Sequence, residues 1–332
     1  MNNKTIGVTG ASGFIGRRII EIGLERGYSM IAFVRPTSEY PKEWDEKLVV
    51  FKGDISITED TSKFIEESDI IIHQAAVVSD WAKRDLYQKV SINGTQFLLD
   101  HMKGTDKKFV LASSISVYSG QIPKGNCTEE IELPPPIGNY TWSKQEQEKL
   151  VQKYGKEQGI KYSIIRPGNV YGPHARAWVH DFIDAMRSGP ILINGGNHKA
   201  LTYIDNVAEV FLLAALSNDA NSQIYNATDD NELSWKEYGT MIAEIMEIRP
   251  PSAIPLGIAK LLSGFLESSY KVLQIKKRPL ITKEAINFAG YQFDMSYKKA
   301  FKELKYKPII NKIEGLKRTS SYIKECLDTH KI

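Results

Sequence analysis

The sequence predicts an α/β fold: a doubly wound parallel sheet followed by a smaller C-terminal domain. Three observations predict it. Short apolar strands alternate with helical stretches over the first half of the chain, the pattern of right-handed βαβ units. The strands are continuous apolar runs such as Ile70-Ile71-Ile72, which suits strands covered on both faces. Ile6 to Gly16 runs from a strand through Gly10, Gly13 and Gly16 into a helix with Ile15, Ile19, Ile20 and Leu24 on one side.

That first unit has the geometry of a pyrophosphate site. Glycine tolerates positive φ, and a missing Cβ lets the backbone approach a phosphate. The helix N-terminus adds free N–H groups and the positive end of its dipole. The spacing is G-x-x-G-x-x-G rather than G-x-G-x-x-G, and no Gly-Lys-Ser/Thr follows, which excludes a P-loop. Further strands are expected at Tyr28 to Val34, Leu48 to Phe51, Asp69 to His73, Phe109 to Ala112 and Tyr162 to Arg166. Helices are expected at Asp60 to Glu67, Leu86 to Met102 and Tyr140 to Gly155, with Pro123 to Asn139 a proline-rich loop. Beyond Pro167 the alternation loosens. A helix is expected around Val179 to Arg187, a turn at Asn194 to Asn197, and short strands at Thr202 to Ile204 and Ile224 to Ala227. Asp205-Asn206 would cap the apolar helix Val207 to Leu216, and Ser234 with Glu237 forms a capping box.

At 332 residues the length suits two domains. With 42% hydrophobic and 25% charged residues it is an ordinary globular composition. A net charge of +3 gives no reason to expect nucleic acid. Cys127 and Cys326 lie far apart and are expected to be reduced thiols of a cytoplasmic protein. The six histidines form no metal-ligand pattern, so no metal is expected. The N-terminus carries no signal-like segment, and no apolar run is long enough for a spanning helix. Residues 253 to 266 are the most apolar C-terminal stretch, with Lys276, Lys277 and Arg278 soon after. Such a helix would suit a membrane surface, but its short length and its glycines favour packing on the core, so membrane contact is not expected.

Tyr140 and Lys144 are four apart, one turn apart on one helix face. A free phenol ionises near pH 10, and a nearby ammonium lowers that value, giving an acid/base group for an alcohol or ketone. Ser113 and Ser114 follow a strand end, where a hydroxyl can meet the same substrate oxygen. The second strand ends in Arg35, with no acid until Glu39. An acid there would favour NAD; an arginine suits the 2′-phosphate of NADP, and Arg17 or Arg18 would assist.

These pieces together resemble the extended short-chain dehydrogenase/reductases, the family that also holds nucleotide-sugar epimerases. The matching motifs run in order: Thr9-Gly10-x-x-Gly13-x-x-Gly16, Asp54-Ile55, His73-Gln74-Ala75-Ala76, Asn93-Gly94-Thr95, Ser113-Ser114 with Val117-Tyr118, Tyr140-x-x-Ser143-Lys144, Arg166-Pro167-x-x-Val170-Tyr171-Gly172-Pro173, and Tyr203 to Ala208. The resemblance implies a Rossmann domain over 1–170 with 201–228, and a substrate-binding domain over 171–200 and 229–332. It implies Ser114, Tyr140 and Lys144 as catalytic residues, Lys144 also binding the nicotinamide ribose. It places Gly10, Ser12, Gly13, Phe14, Ile15 and Gly16 at the phosphates, and Asp54 and Ile55 at the adenine. Gln74, Ala75, Ala76 and Asn93 would line the ribose and phosphates, although Asn93 equally suits a local backbone role. Pro167, Gly168, Asn169 and Val170 would run beside the nicotinamide. His73 reads as a packed strand-end residue. Two departures stand out: Ser119-Gly120 follows Tyr118 where the family has glycine directly, and Trp142 lies inside the Tyr-x-x-x-Lys motif, where it would shape the pocket. The motifs Arg35 to Ser38 and Asn206 look most like the 3β-hydroxysteroid dehydrogenase and dihydroflavonol reductase branch. That branch implies an NADP-dependent reduction of a ketone or oxidation of a secondary alcohol on a small apolar molecule, by a homodimer formed through the helices near 86–102 and 140–155. The alternatives are a nucleotide-sugar epimerase or dehydratase with tightly held NAD, and a dinucleotide sensor without turnover; the full Ser114, Tyr140 and Lys144 set argues against the last.

Overall fold

A computed structural model describes residues 4–189, 191–193, 201–229, 232–275, 277–292 and 294–329. The strands are β1 (Thr5–Thr9), β2 (Ser29–Val34), β3 (Val49–Lys52), β4 (Ile70–His73), β5 (Lys108–Ala112), β6 (Lys161–Pro167), β7 (Asn169–Tyr171), β8 (Ile191–Ile193), β9 (Leu201–Tyr203), β10 (Gln223–Ala227) and β11 (Ser252–Ile254). Seven of them form one sheet in the order β10-β6-β5-β4-β1-β2-β3. Every neighbouring pair in it is parallel. Two-stranded parallel sheets pair β7 with β9 and β8 with β11.

The sheet is covered on both faces. Ile70 and Ile72 of β4 join a core with Ile19 and Ile20 of the helix Phe14–Glu25 and Val207 and Phe211 of the helix Ile204–Leu216. Ile71 points the other way, to Phe64, Leu98, Leu99 and Val151. These come from the helices Thr58–Glu67, Gly94–Met102 and Asn139–Gln158. Alternate side chains of one strand thus fill opposite cores, which is why the strands carry no polar face.

Several expected boundaries move. The helix expected from Leu86 is α-helical at Arg84–Leu86 and Gly94–Met102 with a π-helical stretch, Tyr87–Asn93, between. Asp205 and Asn206 lie within the first turn of a helix capped by Tyr203. Both are engaged elsewhere. Asp205 receives Arg18 through two hydrogen bonds, and Asn206 donates to Asp229 and the Ile310 carbonyl while accepting the Ile309 and Ile310 N–H groups. Long-range partners take the side chains that local sequence assigns to a cap. The Ser234 cap does form, accepting the Glu237 N–H at 3.0 Å. Ser119, where the resemblance leads one to expect glycine, adopts φ +43°, a costly conformation for a side-chain-bearing residue. It is held by its own bond to the Pro135 carbonyl and by Asn287. The turn expected at 194–197 lies outside the described residues.

Candidate active site

The strand order reverses between β1 and β4, so the loops that follow them part and leave a crevice at their C-terminal ends. Gly10 opens the loop after β1 with φ +64°, and a Cβ there would lie 2.8 Å from the Ala75 nitrogen in the loop after β4. A Cβ on Gly16 would lie 2.4 Å from the Gly10 carbonyl oxygen. Both positions need glycine for close approach. The helix that follows has no side-chain cap and no acid in its first turn, leaving its N-terminus suited to an anion.

One chain of hydrogen bonds braces these loops. The Ala75 N–H donates to Thr9 Oγ1, which lies 2.7 Å from His73 Nδ1. His73 Nε2 lies 3.0 Å from Thr95 Oγ1, whose hydroxyl donates to the Ser91 carbonyl. That last bond leaves Thr95 an acceptor toward the imidazole, so His73 carries its proton on Nε2. Burial, with a smaller push from the Lys144 ammonium, lowers the imidazole to about 3. His73 is a neutral strut.

Several residues expected to meet a dinucleotide follow strand C-termini, Arg35 after β2, Asp54 and Ile55 after β3, Gln74 after β4 and Asn169 after β6. Gln74 Nε2 and Asn169 Nδ2 are buried with no hydrogen-bond partner among the described residues. Unpaired buried amides are costly, and both sit where the ligand is expected. Ile55 is buried beneath Gly94. Asp54 accepts the Ser56 N–H and hydroxyl, which hold its carboxyl below the usual range with Lys89 and Arg35 assisting. Arg35 is exposed at the end of β2. Arg17 and Arg18 do not reach the same place: Arg17 pairs with Glu21, and Arg18 with Asp205, Glu21 and Glu25. Asn93 is exposed and accepts from Gln88. Trp142 stacks under the Arg84 guanidinium at 3.8 Å, so its ring is occupied there.

Beyond β5, Ser113 and Ser114 separate in role. Ser113 donates to Glu148 at 2.5 Å, whereas Ser114 hydrogen-bonds Tyr140 and accepts the Ser116 N–H. Lys144 donates to the Ala112 carbonyl at 2.7 Å. Burial lowers its ammonium to about 8 against the opposing pull of Glu148. The Tyr140 phenol is not lowered as expected. Its dense surroundings push it up to about 12, Ser114 works against that, and Glu284 adds to it.

Sequence reading missed two groups. The first is the buried pair of Arg166 and Glu148, joined at 2.9 and 2.7 Å, with Tyr118 bridging Arg166 to Asn226. The strand Tyr162 to Arg166 and the polar helix each showed one member, but nothing local joined them. The second is Glu284, which lies 143 positions from Thr141 in sequence and accepts both its N–H and its hydroxyl. Its other oxygen, Oε2, has no partner among the described residues. Burial raises this carboxyl from 4.5 to about 7, with Thr141 opposing and Asp80 and Glu267 assisting. Between those values the folded chain keeps a proton that the unfolded chain loses, so its contribution to stability falls as pH rises through that window. The loss approaches about 3 kcal/mol. Glu284→Gln should remove this slope and leave the variant more stable than wild type at pH 8. Urea midpoints at pH 5 and pH 8 check it; parallel curves for the two proteins would refute the assignment.

The fold and crevice define a nucleotide-binding α/β protein. Residues 6–228 match the model of the NAD dependent epimerase/dehydratase family, and the chain belongs to that family. It is 28% identical over 330 residues to the mouse (Mus musculus) sterol-4-alpha-carboxylate 3-dehydrogenase, decarboxylating, covering 95% of this chain and 90% of that protein. It is 25% identical to a 4-hydroxy-2-methyl-3-oxo-4-farnesyl-3,4-dihydroquinoline-1-oxide ketoreductase of Stigmatella aurantiaca, covering 93% of each. Its fold matches that of a UDP-glucose 4-epimerase from Thermotoga maritima with a TM-score of 0.75 at 23% identity, over 97% of this chain and 99% of that one.

Proposed function

We propose that this protein is an NADP-using oxidoreductase that interconverts a ketone and a secondary alcohol on an apolar, steroid-like molecule. The observation that carries the chemistry is the meeting of Tyr140, Ser114 and Lys144 at the C-terminal end of β5, beside the crevice. The similarity to a sterol dehydrogenase and a ketoreductase supports the substrate class. When bound, the nicotinamide gives or takes the hydride at the carbinol carbon. Tyr140 gives the carbonyl oxygen its proton in reduction and takes it back in oxidation. Ser114 holds that oxygen by a hydrogen bond, and Lys144 holds the ribose and draws the proton balance of the phenol downward once the ligand is in place. Gln74 and Asn169 supply the amides that the dinucleotide satisfies. Residues 1–170 with 201–228 hold the dinucleotide, and 171–200 with 229–332 hold the substrate. Two copies meet through the helices near 86–102 and 139–158.

A nucleotide-sugar diphosphate is less well served. Arg176 and Arg187 each face an acid, Asp181 at 3.6 Å and Asp184 at 3.8 Å, which competes for them with a diphosphate. Incubation with nucleotide-sugars and catalytic NAD should give no interconversion, whereas sterol-like alcohols or ketones should turn over with stoichiometric cofactor. Clean epimerisation would replace this reading with the epimerase one.

The choice of NADP rests on Arg35. Arg35→Ala should cost about 1.5–3 kcal/mol of NADPH binding, the range for hydrogen bonds to charged groups. That is a roughly 10- to 150-fold loss of affinity, with NADH little changed. Calorimetric titration of both cofactors checks it; equal losses, or a wild type that prefers NADH, would reverse the choice.

A further inference from the structure

The apolar stretch expected to pack on the core does so only through its small residues. It forms the helix Leu256–Val272, whose buried residues are Ala259 and Ser263. Ile258, Leu261, Leu262, Phe265 and Val272 fall at 0, +3, +4, +7 and +14, one stripe of the helix, and all are exposed. Leu261 is 76% exposed, Phe265 69% and Val272 80%. Leu273 and Leu280 extend the ridge past the helix end. A continuous apolar ridge on the outside of a folded chain marks a contact surface.

The charges beside it point to the kind of surface. Lys277 and Lys283 are exposed beside the end of the ridge, while the ammonium groups of Lys260 and Lys271, themselves exposed, lie over the rings of Tyr291 and Trp81. Glu267 is the one acid between 256 and 283. It is largely tucked in, accepts the Lys283 backbone N–H and faces Lys271. Arg278 is neutralised by Asp80. An apolar stripe flanked by lysines is the composition of a helix lying in a membrane interface and drawn to anionic lipid. A second copy docking across a two-fold axis would set lysines against lysines. Among the described residues no helix is long and apolar enough to cross a membrane, so the helix lies on the surface, about 25 Å long at 1.5 Å per residue.

We infer that the ridge from Ile258 to Leu280 docks the protein on a bilayer surface carrying anionic phospholipid. The inner side of the same helix meets the segment that follows β4, whose Ala82 carbonyl accepts from Asn139 beside Tyr140. Tyr270 meets Trp81 edge-on at 6.4 Å, and the Lys271 ammonium sits over the same ring. Trp81 follows the Gln74 to Ala76 loop, and its neighbour Asp80 accepts from Arg278 and Thr282. Docking would therefore hold the cleft mouth near the lipid, where apolar molecules partition. The docking stands independently of the reaction proposed above, because lipid binding reads it and turnover does not.

Vesicle flotation of the full chain tests it, with phosphatidylcholine alone and with phosphatidylcholine containing phosphatidylglycerol. Wild type should float with the anionic vesicles, less with the neutral ones, and less at high salt. Leu261→Glu/Phe265→Glu should weaken this by about tenfold or more, since binding scales with the apolar area buried in the interface. Ile313→Glu, at an exposed site on the helix Lys312–Asp328, should bind as wild type. Both positions of the double variant are exposed, and its thermal melt should match wild type. Wild type that ignores both vesicle types, or a double variant that floats as well as wild type, overturns the inference. So does sedimentation showing that the double variant splits a dimer while neither protein binds vesicles.

Discussion

Tyr140→Phe should keep its fold and its dinucleotide affinity and lose roughly 100- to 10,000-fold in kcat, the contribution of a positioned general acid or base. The phenol is the proton carrier that the site offers to a substrate oxygen, and phenylalanine fills the same volume without it. Its surroundings add a direction. With the phenol pushed up to about 12 by burial, the protonated form prevails at neutral pH. The protein as it stands is therefore ready to give a proton, which is reduction. Oxidation needs the phenolate, so its rate should climb with pH through the alkaline range while reduction stays level. The glutamate near Tyr140 sharpens this. Ionised Glu284 raises the phenol further, so Glu284→Gln should move the alkaline rise in oxidation to lower pH. Single-turnover rates in both directions across pH are the measurement. A phenylalanine variant with more than about a third of wild-type turnover would remove Tyr140 from the chemistry, and an oxidation profile indifferent to pH would remove the phenolate from it.

Glu148→Ala should cost about 3–5 kcal/mol of stability, the range for stripping one partner from a buried ion pair. Arg166 and Glu148 are 2% and 1% exposed. Glu148 holds the guanidinium through two hydrogen bonds and accepts the Ser113 hydroxyl. Burial alone would lower Arg166, yet Glu148 outweighs it and holds the group above its usual range. Without Glu148 that charge stays in the interior unpaired. The double variant Glu148→Leu/Arg166→Met should lose less than the single change, because it leaves no orphan charge. Urea unfolding of wild type, single and double variants decides the matter. A loss below about 1 kcal/mol for the single variant would show the pair to be dispensable. Glu148→Ala should also depress activity at neutral pH, since Glu148 supports the Lys144 charge that burial has already lowered to about 8.

Local chemistry makes some parts of this protein legible from its residues alone. The glycine turn is legible because Gly10 needs positive φ and Gly16 needs a missing Cβ, and both needs are written in three glycines between a strand and a helix. The parallel sheet is legible because strands covered on both faces have no polar side. Tyr140 and Lys144 are legible as neighbours because four residues make one helical turn.

Whatever depends on partners distant in sequence emerges only in the folded chain. Ser113 and Ser114 are alike in the chain, and the placement of Glu148 takes one while Tyr140 meets the other. Arg17 and Arg18 sit beside the glycine turn, yet Glu21 and Asp205 claim them. The phenol rises rather than falls because the groups packed around it disfavour the phenolate and Glu284 arrives from the C-terminal part of the chain. The apolar helix Leu256–Val272 faces outward because its small residues, Ala259 and Ser263, are the ones that fit against the body of the protein. Hydrophobic pattern tells which residues share a helix face; only the packing of one element on another tells which face turns inward.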